Sequence, residues 1–262
     1  MIALFLMALT QTPTQALTLL YVGDSHTTGT HSTPTQPSTS PGLRLEELIL
    51  ASNQFSLVAT YGRCGDTTAQ WMSGDPTTCG AHTHVGSLNQ EVFSAPTPLL
   101  ASLIKENNPD VIYVQLGTNM IRAFPDPSPN TQTDSAAATI QGVTWIENSA
   151  NAFLKILTSA NTSTHTTKCV WIGPPDGRAY ANIREPIFRT RLSLVNKTLH
   201  RVVEPTCTYI DTSTFVQYPA TGGNGIHYSQ LDPKVGASLA GTWAQTVFNN
   251  LPTNATASAA SH

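Results

Sequence analysis

The chain has 262 residues, of which 40% are apolar and only 11% charged, with a net charge of −3, enough material for one domain with a full hydrophobic core. With charge well under the usual quarter, Ser, Thr, Asn and Gln are left to cover a surface suited to an exported protein. The 13 Lys and Arg residues are scattered without a basic stripe, which excludes the electrostatic footprint of nucleic-acid binding; no nucleic-acid partner is expected.

Residues 2–9 form a short apolar run followed by Thr14-Gln15-Ala16, the pattern of a secretory hydrophobic region and its small-residue cleavage site. Residues 1–16 are therefore expected to be a signal peptide and the protein to be secreted or periplasmic. No other stretch approaches the roughly 18 apolar residues that span a bilayer, so no integral membrane segment is expected. From residue 17 onward, short apolar β-rich runs alternate with longer helical patterns, the signature of βαβ units on a parallel sheet. Strands are predicted at 17–22, 55–61, 110–116, 168–173 and 208–210, and their near-continuous hydrophobicity fits strands covered on both faces. Helices are predicted at 43–51, 98–107, 136–159, 185–203 and 233–250. In the last, Val235, Leu239, Trp243 and Val247 recur at helical spacing as a core-facing stripe.

Long segments at 27–41, 71–95 and 124–133 are expected to be loops rimming a cleft, because open α/β sheets bind ligands beyond the carboxyl ends of their strands. Residues 17–251 form the expected domain, and the Thr/Asn/Ala/Ser-rich tail at 252–262 is expected to be disordered. Cys64, Cys79, Cys169 and Cys207 have no CxxC spacing and no neighbouring His pair, which argues against a zinc site; neither a metal nor an organic cofactor is expected. For an exported chain disulfides are the better reading, and 64 with 79 and 169 with 207 is the simplest of three pairings.

Ser25 follows an apolar run in Tyr21-Val22-Gly23-Asp24-Ser25-His26, and His227 lies in a late loop, Gly225-Ile226-His227-Tyr228-Ser229. A hydroxyl is a poor nucleophile until a base takes its proton, so a serine on a sharp turn and a distant loop histidine suggest nucleophilic catalysis. Together with Cys64-Gly65-Asp66-Thr67-Thr68 and Gly117-Thr118-Asn119, these segments resemble the four ordered blocks of the SGNH (GDSL-type) hydrolases, and the resemblance spans residues 17–250. It implies a flavodoxin-like three-layer α/β/α sandwich with a five-stranded parallel sheet. It also implies that Ser25 is the nucleophile and His227 the general base. Gly65 through its N–H, Asn119 through its amide and Ser25 through its own N–H would form the oxyanion hole.

Two positions depart from the family pattern. Three residues before the histidine the family has an aspartate, where Asn224 stands here; Met120 stands where the family often has Asp. Three explanations for Asn224 stay open: a weaker Ser25-His227-Asn224 triad, another carboxylate such as Asp211 or Asp232 on the imidazole, or a degenerate site that binds without cleaving. Asp24 is expected to hold the turn through backbone N–H groups, Asp66 has no assigned role, and His26 is grouped with the surface and loop histidines. Arg178, in the run after the fourth strand, is a candidate contact for a substrate carboxylate or carbonyl, with a surface ion pair as the alternative. Trp71 and Tyr180 are candidates for stacking on sugar rings, while Trp145 and Trp171 read as core.

The function implied is a monomeric serine esterase that cleaves short acyl esters, above all O-acetyl groups, on a carbohydrate or peptidoglycan substrate. A small-molecule ester is an equal partner class. An O-acetyltransferase using the same acyl-serine step and a catalytically weakened glycan-binding protein are the alternatives.

Overall fold

The structure, a computed structural model, describes residues 17–28, 37–76, 79, 81–85, 91–93, 99–127, 132–159, 161–162, 164–179 and 183–252. The expectations for residues 1–16, for the tail beyond 252 and for Tyr180 lie outside the described residues. In chain order the elements are β1 (Leu17–Gly23), α1 (Ser25–Thr28), α2 (Pro41–Ala51), β2 (Phe55–Arg63), α3 (Thr68–Ser73), β3 (Ala81–Val85), β4 (Glu91–Phe93), α4 (Leu100–Asn107), β5 (Val111–Gln115), α5 (Ala136–Ser159), β6 (Lys168–Ile172), α6 (Glu185–Val203), β7 (Thr208–Ile210) and α7 (Pro233–Asn250). Short 3-10 turns lie at Pro37–Thr39, Thr118–Ala123 and Tyr228–Gln230.

The sheet has the order β4-β3-β2-β1-β5-β6-β7. Its five strands β2, β1, β5, β6 and β7 are mutually parallel, with Tyr21 level with Thr60 on one side and Tyr113 on the other. This is the flavodoxin-like strand order, whose direction of winding reverses beside β1, so a crevice opens at that strand's carboxyl end. β3 and β4 add an antiparallel edge next to β2. Both fall inside the segment 71–95 read as loop, as does the second half of α3. The run Ala-His-Thr-His-Val is short and carries a single large aliphatic residue, so it does not stand out as a strand by itself and is ordered by pairing with β2.

Alternation along the strands builds two cores. Leu19, Tyr21, Val58, Tyr113, Val170 and Ile172 point to one face and pack under α2 and α7; Leu20, Val22, Ala59, Ile112, Val114 and Trp171 point to the other, under α4, α5 and α6. The helices start where their caps dictate. Ser40 accepts the Leu43 N–H ahead of Pro41, and Asp232 accepts the N–H groups of Lys234 and Val235 ahead of Pro233. On α7 the buried stripe runs through Gly236, Ala240, Trp243, Ala244 and Val247, whereas Val235 is 42% exposed. The apolar face is thus rotated from the one the Val and Leu positions suggest, and Gly236 within it lets α7 lie against the 3-10 turn at Tyr228, where a Cβ would come within 2.3 Å of the Tyr228 carbonyl oxygen.

Cys64 pairs with Cys79 and Cys169 with Cys207, with Cα–Cα distances of 5.2 and 4.6 Å. The first staples the end of β2 to the approach to β3; the second ties β6 to the residue preceding β7. Loop-closure entropy rises with the chain enclosed, 15 residues in one case and 38 in the other. The double substitution Cys169→Ser/Cys207→Ser should lower the free energy of unfolding by about 4 kcal/mol and Cys64→Ser/Cys79→Ser by about 3 kcal/mol. Urea unfolding of the two variants checks both the losses and their order.

Candidate active site

Ser25 opens α1 immediately beyond β1 and is 5% exposed. The turn beneath it is tight. A Cβ on Gly23 would lie 1.9 Å from Thr27 Oγ1 and 2.6 Å from the Gln115 carbonyl oxygen, so only glycine lets the chain fold back over the strand end. Thr27 Oγ1 donates to Gln115 Oε1 at 3.0 Å, the Asp24 N–H donates to the Gln115 carbonyl at 3.3 Å, and Asp24 Oδ1 accepts the His26 N–H at 2.9 Å. Asp24 therefore holds the turn as its position suggests. Trp71 Nε1 donates to the Gly23 carbonyl at 3.3 Å from a fully buried ring, which removes Trp71 from the candidates for sugar stacking.

His227 arrives from the far side of the sheet on the loop between β7 and α7. Its position is set by a second segment, the chain leaving β6. Arg178 donates its N–H to the Gly225 carbonyl at 2.7 Å and its guanidinium to the Gly222 carbonyl at 3.1 Å. Tyr218 Oη accepts the Gly225 N–H and donates to the His227 carbonyl, each at 3.2 Å, while the Tyr218 N–H is held by Asp176 at 2.9 Å. Asp176 is itself paired with Arg189 at 3.0 Å. These contacts make Arg178 a brace of the histidine loop, bound to that loop's carbonyls and not to a surface carboxylate.

The structure brings Ser25 Oγ to 2.8 Å from His227 Nε2. At the other ring nitrogen, Asn224 Nδ2 lies 2.8 Å from Nδ1, while Asn224 Oδ1 accepts the N–H groups of Ile226 at 3.1 Å and His227 at 2.9 Å. Those two backbone donors fix the amide, since turning it over would set the Nδ2 hydrogens against them. Facing a donor, Nδ1 is best served as an acceptor, which favours the tautomer with the ring proton on Nε2, toward Ser25. That tautomer has no lone pair on Nε2 to receive the serine proton. Of the other acids considered, Asp232 caps α7 and Asp211 accepts from Ser213 N–H and Oγ at 3.0 and 2.6 Å.

His26 is buried, not a surface or loop histidine. Its ring stacks on His227 with centroids 5.2 Å apart at 29°, and burial first, then the neighbouring His227, push its pKa well below the ordinary 6.5. Gly65 sits at φ +79°, in the left-handed region, and its carbonyl accepts from the Arg122 guanidinium. Asn119 lies in the 3-10 turn after β5, and its Nδ2 donates to Asp24 Oδ2 and to the Asp66 carbonyl, both at 3.2 Å. Met120 beside it is fully buried. Asp66, unassigned from sequence, pairs with buried Arg63 at 2.6 Å, and the guanidinium lies over the Trp71 ring. Burial pushes Asp24 up to about 7, partly opposed by the His26 N–H, and Asp66 up to about 6, partly opposed by Arg63. The supporting roles of His26, Arg122 and Arg63 had no signal in the sequence beyond adjacency to the four blocks. Among the described residues no group of three or more His, Cys, Asp or Glu is arranged to hold a metal ion.

Strand order and the placing of Ser25, Gly65, Asn119 and His227 beyond the sheet's carboxyl edge define the class: the chain has the fold of the SGNH (GDSL-type) hydrolases. In sequence it is 30% identical over 219 residues to Protein BcsX of Komagataeibacter xylinus, covering 80% of this chain and 70% of that protein. Among solved structures its fold is similar to the lipase Lip_vut3 from a goat rumen metagenome, at 13% identity over 88% of this chain and 95% of that one with a TM-score of 0.55. It is also similar to the native aryl esterase of M. smegmatis, at 17% identity over 90% of this chain and all of that one with a TM-score of 0.51. No family model matches the chain.

The stacked histidine has a measurable signature. An unfolded chain protonates His26 below about pH 6.5, whereas the buried ring resists the proton, so the contribution of His26 to native stability is full above that value and falls as pH drops through it, while the raised carboxyls of Asp24 and Asp66 contribute in the opposite direction. The loss reaches at most about 1.4 kcal/mol per pH unit. His26→Phe, which keeps a ring against His227, should remove that acid-side slope; urea unfolding of both proteins at pH 7 and 5 provides the comparison.

Proposed function

We propose that the protein is a serine esterase that removes short acyl groups, foremost O-acetyl, from a carbohydrate or peptidoglycan substrate through an acyl-serine intermediate. The observation that carries this reading is the 2.8 Å contact between Ser25 Oγ and His227 Nε2. In the proposed reaction His227 shifts to the Nδ1–H tautomer that the Asn224 amide disfavours, and Ser25 Oγ then attacks the ester carbonyl carbon while Nε2 takes its proton and passes it to the leaving alcohol. Water then repeats the sequence on the acyl-serine, with His227 as base again. Negative charge gathers on the former carbonyl oxygen, and the proposed donors to it are the N–H groups of Ser25 and Gly65 and the amide of Asn119. For that role Asn119 must give up one of its two present acceptors, and the Asp24 carboxyl, pushed up to about 7, is the weaker of them near neutral pH.

Several features support a short acyl group and a polar alcohol. The surroundings of Ser25 are polar although buried, with Asp24, His26, Thr27, Thr118 and Asn119 close in sequence or in space, and no apolar run follows the nucleophile to line a long-chain pocket. Two disulfides favour an oxidising compartment outside the cytoplasm, and among the described residues no helix is long and apolar enough to cross a membrane. One observation favours the second reading, a glycan-binding protein with weak catalysis: the donor that Asn224 presents to Nδ1 holds His227 in the unproductive tautomer.

Hydrolysis of p-nitrophenyl acetate and its longer acyl homologues tests the two readings together. The esterase reading expects activity confined to short chains and lowered at least about 100-fold by Ser25→Ala, with Asn119→Ala losing about 100- to 1,000-fold. Saturable carbohydrate binding unaffected by Ser25→Ala, with no release of acid, would establish the binding protein instead.

A further inference from the structure

The amide that mis-wires His227 is also the most labile amide the sequence contains. Asn224 is followed by Gly225, and no other Asn in the chain precedes a glycine. An Asn-Gly step closes readily to a cyclic imide, because glycine has no Cβ to keep its backbone nitrogen away from the preceding side chain. Asn224 is exposed at a loop tip in Gly222-Gly223-Asn224-Gly225, where the three glycines have φ of +82°, +61° and +94°. The Gly225 N–H is held only by the Tyr218 hydroxyl at 3.2 Å. The side-chain carbonyl that would be attacked is already polarised, since Oδ1 accepts two backbone N–H groups that would also steady the oxyanion formed on attack.

We propose that Asn224-Gly225 is a self-deamidating switch, in which loss of the amide nitrogen puts a carboxylate in place of the amide at Nδ1 of His227 and turns a poorly active esterase into an active one. The inference rests on the esterase reading above. The Gly225 nitrogen forms a bond to Cγ of Asn224, the Cγ–Nδ2 bond breaks, and ammonia leaves carrying the proton from the Gly225 N–H. Water then adds to the imide at Cγ and breaks the new Cγ–N bond, restoring the original backbone with a carboxylate at position 224. Addition at the backbone carbonyl instead gives the isoaspartyl chain, which is longer by one carbon and displaces the carboxylate. In the first product one oxygen keeps the N–H groups of Ile226 and His227 and the other replaces Nδ2 at 2.8 Å from Nδ1. An acceptor there draws the proton to Nδ1, frees the Nε2 lone pair toward Ser25 and stabilises the imidazolium formed in the reaction. No backbone movement is needed.

The test compares freshly prepared protein with protein held in mildly alkaline buffer at physiological temperature. At each time the tryptic peptide containing position 224 is resolved by mass spectrometry into amide, aspartyl and isoaspartyl forms, the conversion adding about one dalton, and kcat for p-nitrophenyl acetate is measured on the same sample. The expected result is a rise in kcat proportional to the aspartyl fraction, toward the value of the Asn224→Asp variant, itself about 100- to 10,000-fold above fresh protein. Asn224→Ser, which cannot cyclise, should stay flat under the same treatment, and circular dichroism establishes that each variant is folded. Retention of the amide, conversion only to the isoaspartyl form, or conversion without a gain in kcat overturns the switch. A folded Asn224→Asp variant no more active than Ser25→Ala overturns the esterase reading itself, whereas an active one beside an unconverted wild type overturns only the inference.

Discussion

An asparagine side chain has one oxygen, and in this protein two backbone N–H groups claim it. The donors at Ile226 and His227 close a small turn on Asn224 Oδ1 and so direct Nδ2, and only Nδ2, at the imidazole. A carboxylate in the same place has an acceptor for each demand; an amide cannot serve both. This one mismatch favours the ring proton on Nε2 and, with it, a Ser25–His227 hydrogen bond donated by the ring. The mismatch is local, for the same turn that commits Oδ1 also holds His227 where Nε2 reaches Ser25.

The larger architecture explains how residues some two hundred positions apart come within hydrogen-bonding distance. In a parallel sheet every strand delivers its following loop to the same edge, and beside β1 the winding reverses, so loops from both halves converge there. Ser25 leaves β1, Gly65 follows β2 and Asn119 follows β5, while the chain after β6 contributes Arg178 to hold the His227 loop. The loops are tied both to the sheet and to one another, Asn119 bonding to Asp24 and to the Asp66 carbonyl. Gly23 and Gln115 anchor the serine turn, Arg122 and the Cys64–Cys79 disulfide anchor the Gly65 turn, and Tyr218 with Asp176 anchors the histidine loop.

Much of this was legible in the residues because strong local signals agreed with tertiary demand. The helices at 136–159, 185–203 and 233–250 have the bounds their patterns predict, and the five parallel strands lie where apolar runs fall between turn residues. The edge strands β3 and β4 were not legible, since their order comes from a partner strand and their own residues read as loop. Two side-chain environments were equally hidden. His26 looks like any polar residue after a turn, and only the approach of His227 from the other end of the chain buries it; Trp71 looks available until α3 folds its ring beneath Gly23. The Asn224 substitution was visible as a residue change, but its consequence was not, because it depends on where the backbone N–H groups of the next turn point.

Beneath Ser25 the protein accepts a costly polar layer. Arg63 and Asp66 are paired with almost no exposure, and Asp24 is buried with its carboxyl pushed up to about 7. Buried charges are weak contributors to stability even when paired, so this layer does little to explain why the fold holds. It does explain why the loops cannot drift: Asp24 and the Asp66 carbonyl both take hydrogens from Asn119, and Arg63 fixes the turn from which Gly65 projects. Preorganisation of this kind matters only where positions must be right to a few tenths of an ångström. In a site so braced the loops are already in place, and what Asn224 alters is the atom that faces Nδ1.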